Sequence, residues 1–305
     1  MTDPNLLSPA TRTALIDAGL RPDEVVDFAA RCISEDLDNG VDVTSVSTIP
    51  ASDDSTASFV VRGTGVFAGA PVLAAILETN LPTESIISVT AVDGARVQRG
   101  DVLATVSALT IPLLTVERTA LNVICRLSGV ASHTRRWVDA LAGTETRVRD
   151  TRKTTPGMRD LDKYAVRCGG GVNHRRGLSD AVLIKDNHVV AAGGVGAAIR
   201  AARAYVASHG RPDTVVQCEI DRLSQLDEAL EAGAIQILLD NMSPPDMAQA
   251  VVRAKAFDPR VLLEASGGLT IETVGEVAAT GVDFIAVGAL THSSPILDIA
   301  LDFTS

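Results

Sequence analysis

The chain reads as an α/β protein built around a parallel sheet, and three observations lead to that class. Short β-branched runs alternate with helical segments after residue 145, most of those runs end in a polar or glycine residue, and aromatic residues make up only 3% of the chain. A core with so few aromatics must be built from Ala, Val, Leu and Ile, which suits parallel strands buried on both faces. Alternation of β and α at these spacings calls for right-handed crossovers within one sheet.

In chain order, residues 1–50 start with helical character and turn loop-like through EDLDNGVDVTS. Glu35, Asp36, Asp38 and Asp42 gather there around Asn39-Gly40, but the spacing matches no calcium loop, so a solvated loop is expected. From Ser58 to Ser107 the pattern changes to short β-type runs, SFVVRGTGVFAG and then SVTAVDGARVQRGDVLATVSA. The GARVQRGDVLATV segment resembles small β modules that carry lipoyl or biotinyl groups. It lacks a Lys between two hairpins, so the likeness concerns architecture only. Pro112 to Leu141 is expected to be helical, with Leu121, Ile124, Cys125 and Leu127 on the apolar face and Glu117, Arg118 and Asn122 on neighbouring turns. Ser128-Gly129 should bend or break that helix.

The later strands are TRVRD to Asp150, DAVLIK to Lys185, TVVQCEI around Glu219, AIQILLD to Asp240, RVLLEASGG to Ser266, and DFIAVG to Gly288. Helices are expected at 194–208, 223–232, 244–256 and 271–279. A β/α barrel places its active site at strand C-terminal ends, where the polar residues fall here. An open doubly wound sheet shows the same alternation, but it concentrates its ligands at one switch point, and the number of polar strand ends favours the barrel.

Bulk properties narrow the function. The 305 residues carry a formal net charge of −11, with no basic, apolar leader and no run long enough to span a bilayer. Cys32, Cys125, Cys168 and Cys218 are widely spaced, without a CxxC pair, and read as reduced thiols of a cytoplasmic protein. Yet nine Lys or Arg stand against three Asp between residues 147 and 176, a local balance of +6. An acidic protein that gathers cations around Gly169-Gly170-Gly171 is equipped for a small, strongly anionic ligand. Guanidiniums suit carboxylates and ammonium groups suit phosphates. Overall acidity and scarce aromatics argue against nucleic acid.

EDLDNGVDVTS, ERTALNVICRLSGVAS, TRKTTPGMRDLDKYAVRCGGGVNHRRGLSDAVLIKDNH, LLDNM, EASGG and GALTHSSPILDIALD occur in that order along the chain. Together they closely resemble the quinolinate phosphoribosyltransferases of the type II phosphoribosyltransferase class, over nearly the whole length. The resemblance implies an N-terminal α/β domain, residues 1–121, followed by an incomplete, open α/β barrel akin to a TIM barrel, residues 122–305. It implies transfer of ribose 5-phosphate from phosphoribosyl pyrophosphate to quinolinate, with Mg2+, in de novo NAD biosynthesis. The products are nicotinate mononucleotide, pyrophosphate and CO2. A homodimer, or a larger homo-oligomer of dimers, is implied as well, without nucleic-acid or membrane partners.

Residue roles follow from the same resemblance. Arg152, His174 and Arg175, beside Thr151, match positions that hold the quinolinate carboxylates, with Arg118 arriving from a neighbouring subunit. Lys153 and Lys185 match positions near the phosphates. Glu219 and Asp240 would bind the ribose hydroxyls and help to hold Mg2+, and Asp221 is expected to share that strand face. Ser266-Gly267-Gly268 and Gly288-Ala289-Leu290 form the expected phosphate cradle. His292 and His188 are further candidates. Two rival readings remain: a phosphoribosyltransferase that takes nicotinate without decarboxylation, and a non-catalytic phosphosugar-binding barrel. The first needs fewer cations than residues 152–176 supply, and the second should lack the strand-end acids or lysines.

Overall fold

The computed structural model describes residues 7–304. Two compact units emerge, one running up to residue 135 with 160–170 and the segment from 293 onward, the other comprising 136–159 and 171–292.

The first unit opens with α1 (Pro9–Asp17), α2 (Pro22–Leu37) and α3 (Val43–Thr48). The expected acidic loop is shorter than the motif, confined to residues 38–42 around Asn39-Gly40, with Glu35 and Asp36 on the helix before it. α2 continues to Leu37, and the Asp42 side chain caps α3 by accepting the Ser45 N–H at 3.1 Å. Next come β1 (Asp54–Val61), β2 (Gly65–Val66), α4 (Ala70–Asn80), β3 (Ile86–Val89), β4 (Arg96–Val97) and β5 (Val102–Leu109). β1 buries Ala57, Phe59 and Val61, the period of two expected of a strand with one face in the core.

α5 (Thr110–Ala140) is one continuous helix, so Ser128-Gly129 does not break it. Close packing explains the small pair instead. Ser128 Oγ accepts the Ala68 N–H at 3.1 Å, and a Cβ at position 129 would fall 2.1 Å from the Pro295 carbonyl oxygen. The domain boundary expected at 121/122 also falls inside this helix.

The first strand of the second unit is β6 (Arg147–Arg149). The chain returns to the first for α6 (Arg159–Cys168), where buried Asp162 receives Arg126 Nη2 at 3.0 Å. It then supplies β7 (Val182–Ile184), α7 (Asp186–Ala192), α8 (Val195–Ser208), β8 (Val216–Ile220) and α9 (Leu226–Glu231). β9 (Gln236–Asp240), α10 (Pro244–Phe257), β10 (Leu262–Ser266), α11 (Val274–Ala278), β11 (Phe284–Ala286) and α12 (Ala289–His292) follow. α10 shows how the sequence starts a helix: the Ser243 side chain accepts the Asp246 N–H, and Pro244 occupies the first turn, where its missing donor costs nothing. The last strand, β12 (Ile299–Thr304), pairs antiparallel with β1 and so belongs to the first unit's sheet, ordered β12-β1-β5-β3.

In the second unit six strands lie in the order β6-β11-β10-β9-β8-β7, with parallel pairing throughout. β7 to β11 follow one another in sequence, and β6 joins beyond β11. A ring would need only the β6–β7 pair, whereas a doubly wound sheet would reverse direction from an interior strand. Arg149 instead forms an isolated parallel bridge with Val172. The architecture is thus an incomplete barrel.

Register decides what points inward. Leu183 pairs with Gln217, Glu219 with Leu238, Leu238 with Glu264, Asp240 with Ser266, and Ser266 with Ala286. With a side-chain period of two, these residues share one face. No single described helix is long and apolar enough to cross a membrane.

Candidate active site

A cavity of about 720 Å³ opens on that face of the second unit. The strand ends supply its lining in alternation: Leu183 and Lys185 from β7, Leu238 and Asp240 from β9, Glu264 and Ser266 from β10, Ala286 and Gly288 from β11. β8 contributes Glu219. The expected Thr151, Arg152 and Lys153 enter from the β6 end, and His174 and Arg175 from the loop before β7. Gly267, Gly268, Ala289 and His292 complete the expected set.

Four expected residues fall outside the lining. Leu290 is fully buried, because its apolar side chain turns into the core at α12. Asp221 lies past the end of β8, where it leaves the strand's alternation and pairs with exposed Arg222 at 3.2 Å. Arg118 sits on α5 in the first unit, with its side chain 65% exposed and Glu117 at 3.7 Å. His188 has a structural task, its Nδ1 accepting the Lys185 N–H at 3.0 Å at the start of α7.

The cationic side is anchored by buried polar groups. Asp150, fully buried, takes the His174 N–H and Asn173 Nδ2, both at 2.7 Å, and so fixes the loop that carries His174. Arg175 Nη1 donates to the Ala181 carbonyl at 3.1 Å. Nε of Arg175 and Nε of Arg152 are buried without a hydrogen-bond partner. Burial, followed by the neighbouring Arg152 charge, pushes the Arg175 pKa down from the guanidinium value, while Asp180 pulls it up. For Asp180, burial works to raise the carboxyl pKa. The N–H groups of Arg176 and Gly177, at 2.6 and 2.7 Å, and the charge of Arg175 outweigh it and hold it low.

On the acidic side Lys185 Nζ donates to Glu219 Oε2 at 2.6 Å, and Asn241 Nδ2 to Asp240 Oδ2 at 2.8 Å. Asn241, at φ 54°, and Gly267, at φ 94°, take left-handed backbone just past the ends of the adjacent strands β9 and β10. A Cβ on Gly267 would lie 2.1 Å from Asn241 Oδ1. Gly288 makes room similarly: its Cβ would be 2.8 Å from Lys153 Cδ. Among the described residues no three His, Cys, Asp or Glu side chains are placed to hold a metal together. Glu219 and Asp240 are hard oxygen donors of the kind Mg2+ takes when it keeps water and shares a diphosphate, rather than sitting in a protein cage.

Sequence reasoning passed over Gln217 and Glu264. Both stand two residues before a residue it selected, Glu219 and Ser266, so strand alternation alone could have placed them on the same face. Asn241 was hidden because its role depends on a left-handed turn.

Two family models match the chain. Residues 42–128 match the N-terminal domain and residues 130–302 the C-terminal domain of quinolinate phosphoribosyl transferase. This chain belongs to the quinolinate phosphoribosyltransferase family. It is 49% identical to the carboxylating nicotinate-nucleotide pyrophosphorylase of Mycobacterium leprae, over 92% of this chain and 97% of that protein. A probable enzyme of the same name from Bacillus subtilis is 42% identical, over 88% and 90%. The solved nicotinate-nucleotide pyrophosphorylase of Francisella tularensis superposes with a TM-score of 0.85 at 35% identity, covering 92% and 96%. Like other members of the family, the chain is a phosphoribosyltransferase.

Proposed function

We propose that this chain transfers the phosphoribosyl group of phosphoribosyl pyrophosphate to the nitrogen of quinolinate, with loss of CO2. The other products are nicotinate mononucleotide, destined for NAD, and pyrophosphate. One observation carries the choice of acceptor: Arg152 and Arg175 share a cavity, and each keeps a buried Nε that no protein group accepts from. Buried, unpaired guanidinium donors are costly, so a fold that keeps two of them side by side gains from a ligand that pairs them. A planar diacid does so, with forked donors meeting carboxylates. The apolar Leu183 and Leu238 offer surface to its ring.

Lys153, Lys185 and the Ser266–Gly268 and Gly288–Ala289 backbone suit the 5-phosphate and the pyrophosphate. Glu219 and Asp240 suit the ribose hydroxyls. With Mg2+ bound, these two carboxylates would hold it, directly or through water, and it would neutralise pyrophosphate charge.

Cleavage at the ribose C1 passes through an oxocarbenium-like state, as in glycosyl transfer generally. The chain need supply no nucleophile, since the pyridine nitrogen attacks. Its residues position both substrates, balance the leaving group's charge and exclude water. N-glycosylation makes the ring nitrogen cationic next to the carbon bearing the 2-carboxylate. That cation stabilises the electron pair left as CO2 departs, and the carbon then takes a proton.

Exposed Arg118 accords with service to the site of a second copy of the chain in a homodimer. Four free thiols accord with a cytoplasmic location. Calorimetric titration tests the acceptor. Quinolinate should bind at least roughly tenfold more tightly than nicotinate, the worth of one charge-assisted contact. Equal affinities would favour the monoacid.

A further inference from the structure

At the cavity wall a line of polar side chains links β6, β8 and β10. Arg149 Nη1 donates to Glu264 Oε2 at 2.8 Å, and Gln217 Nε2 donates to the same oxygen at 2.9 Å. Gln217 Oε1 then lies 2.7 Å from His174 Nε2. His174 Nδ1, in turn, accepts the Arg175 N–H at 2.6 Å.

A glutamine amide could be turned either way, but its surroundings choose here. Glu264 Oε2 already accepts from a guanidinium, so the amide nitrogen must face it and the amide oxygen must face His174. That oxygen only accepts, so Nε2 of His174 carries a proton. At the other nitrogen a backbone N–H points at Nδ1, which must therefore be bare. Two independent constraints select one tautomer.

Packing alone does not ask for this arrangement. Leu183 pairs with Gln217 and Leu238 with Glu264, so a leucine on the neighbouring strand stands beside each of these polar side chains on the same face. Gln217 and Glu264 are both buried, 2% and 1% exposed, and Gln217 satisfies both ends of its amide there, whereas Glu264 pairs only its Oε2.

We infer that Gln217 is a positioning residue for the quinolinate half of the reaction: it fixes His174 as the neutral Nε2–H tautomer and thereby sets the Arg175 peptide. The inference rests on the reading that His174 and Arg175 hold the diacid. The charged groups around the pair are Arg149 and Asp150 at the β6 end, Arg175 beside His174, Glu264 on β10 and Glu219 farther along β8.

Gln217→Met separates positioning from filling, because it keeps the bulk of the glutamine and removes both of its hydrogen bonds. Gln217→Met should raise the quinolinate KM roughly tenfold, as loss of a buried hydrogen bond predicts, with the phosphoribosyl pyrophosphate KM within about twofold of the parent. Nitrogen-15 NMR of histidine-labelled parent enzyme, assigned with His174→Gln, should show His174 only as the Nε2–H tautomer. A mixed or Nδ1–H tautomer would overturn the inference, as would a folded Gln217→Met with parental quinolinate KM. The tautomer measurement needs no substrate, so it separates failure of this inference from failure of the quinolinate reading.

Discussion

Lys185 Nζ donates to Glu219 Oε2 at 2.6 Å, joining the C-terminal ends of two adjacent strands by a single ion pair. The lysine is 48% exposed and the glutamate 12%, so water screens the pair and its contribution to stability is small. Its consequence is orientation, because the carboxylate aims a flexible ammonium at the cavity.

Lys185→Gln should therefore lower kcat/KM about ten- to a hundredfold, the loss of one charge-assisted contact, with little change in Tm. Steady-state kinetics and a thermal melt on the same preparation check both halves. A large fall in Tm would make the pair structural.

Arg152 and Arg175 present the opposite balance. Each holds a buried unpaired Nε, and their like charges repel, as the lowered Arg175 pKa reflects after burial itself. Arg175→Met should raise the quinolinate KM by more than roughly tenfold while leaving Tm unchanged or higher, since an uncompensated buried donor is removed. Quinolinate should then raise the parent's Tm and not the variant's.

Gly267 answers two constraints, a φ of 94° and a Cβ position 2.1 Å from Asn241 Oδ1. Gly267→Ala should cost about 1–2 kcal/mol from the left-handed backbone alone and weaken the phosphoribosyl pyrophosphate KM. Adding Asn241→Gly relieves only the clash. Partial recovery of stability in the double variant, measured by urea unfolding, would apportion the two.

The lowered Asp180 pKa gives a pH dependence with a definite sign. Its contribution to stability is complete above the unfolded carboxylate value of about 3.9, and disappears as pH falls through the lower folded value. The stability difference between the parent and Asp180→Asn should thus be constant near neutrality and shrink only in acid. A difference that grew in acid would contradict the hydrogen-bonding pattern.

What could be read from the sequence followed periodicity. All six barrel strands end where β-branched runs meet Lys185, Glu219, Asp240 and their counterparts, because inward alternation leaves chemistry at strand ends. Long-range packing was not legible. Gly129 reads locally as a helix breaker, yet it is a contact point for Pro295, 166 positions away in sequence. β12 gives no sign of its partner β1 for the same reason. Gln217 and Glu264 were legible in principle, but a buried polar pair shows its purpose only once His174 is seen above it.

The most direct test offers purified protein phosphoribosyl pyrophosphate and Mg2+ with either quinolinate or nicotinate, following mononucleotide and CO2 together. Equal amounts of nicotinate mononucleotide and CO2 should form from quinolinate, and no product from nicotinate. Turnover of nicotinate alone, or mononucleotide from quinolinate without CO2, would contradict the proposed reaction.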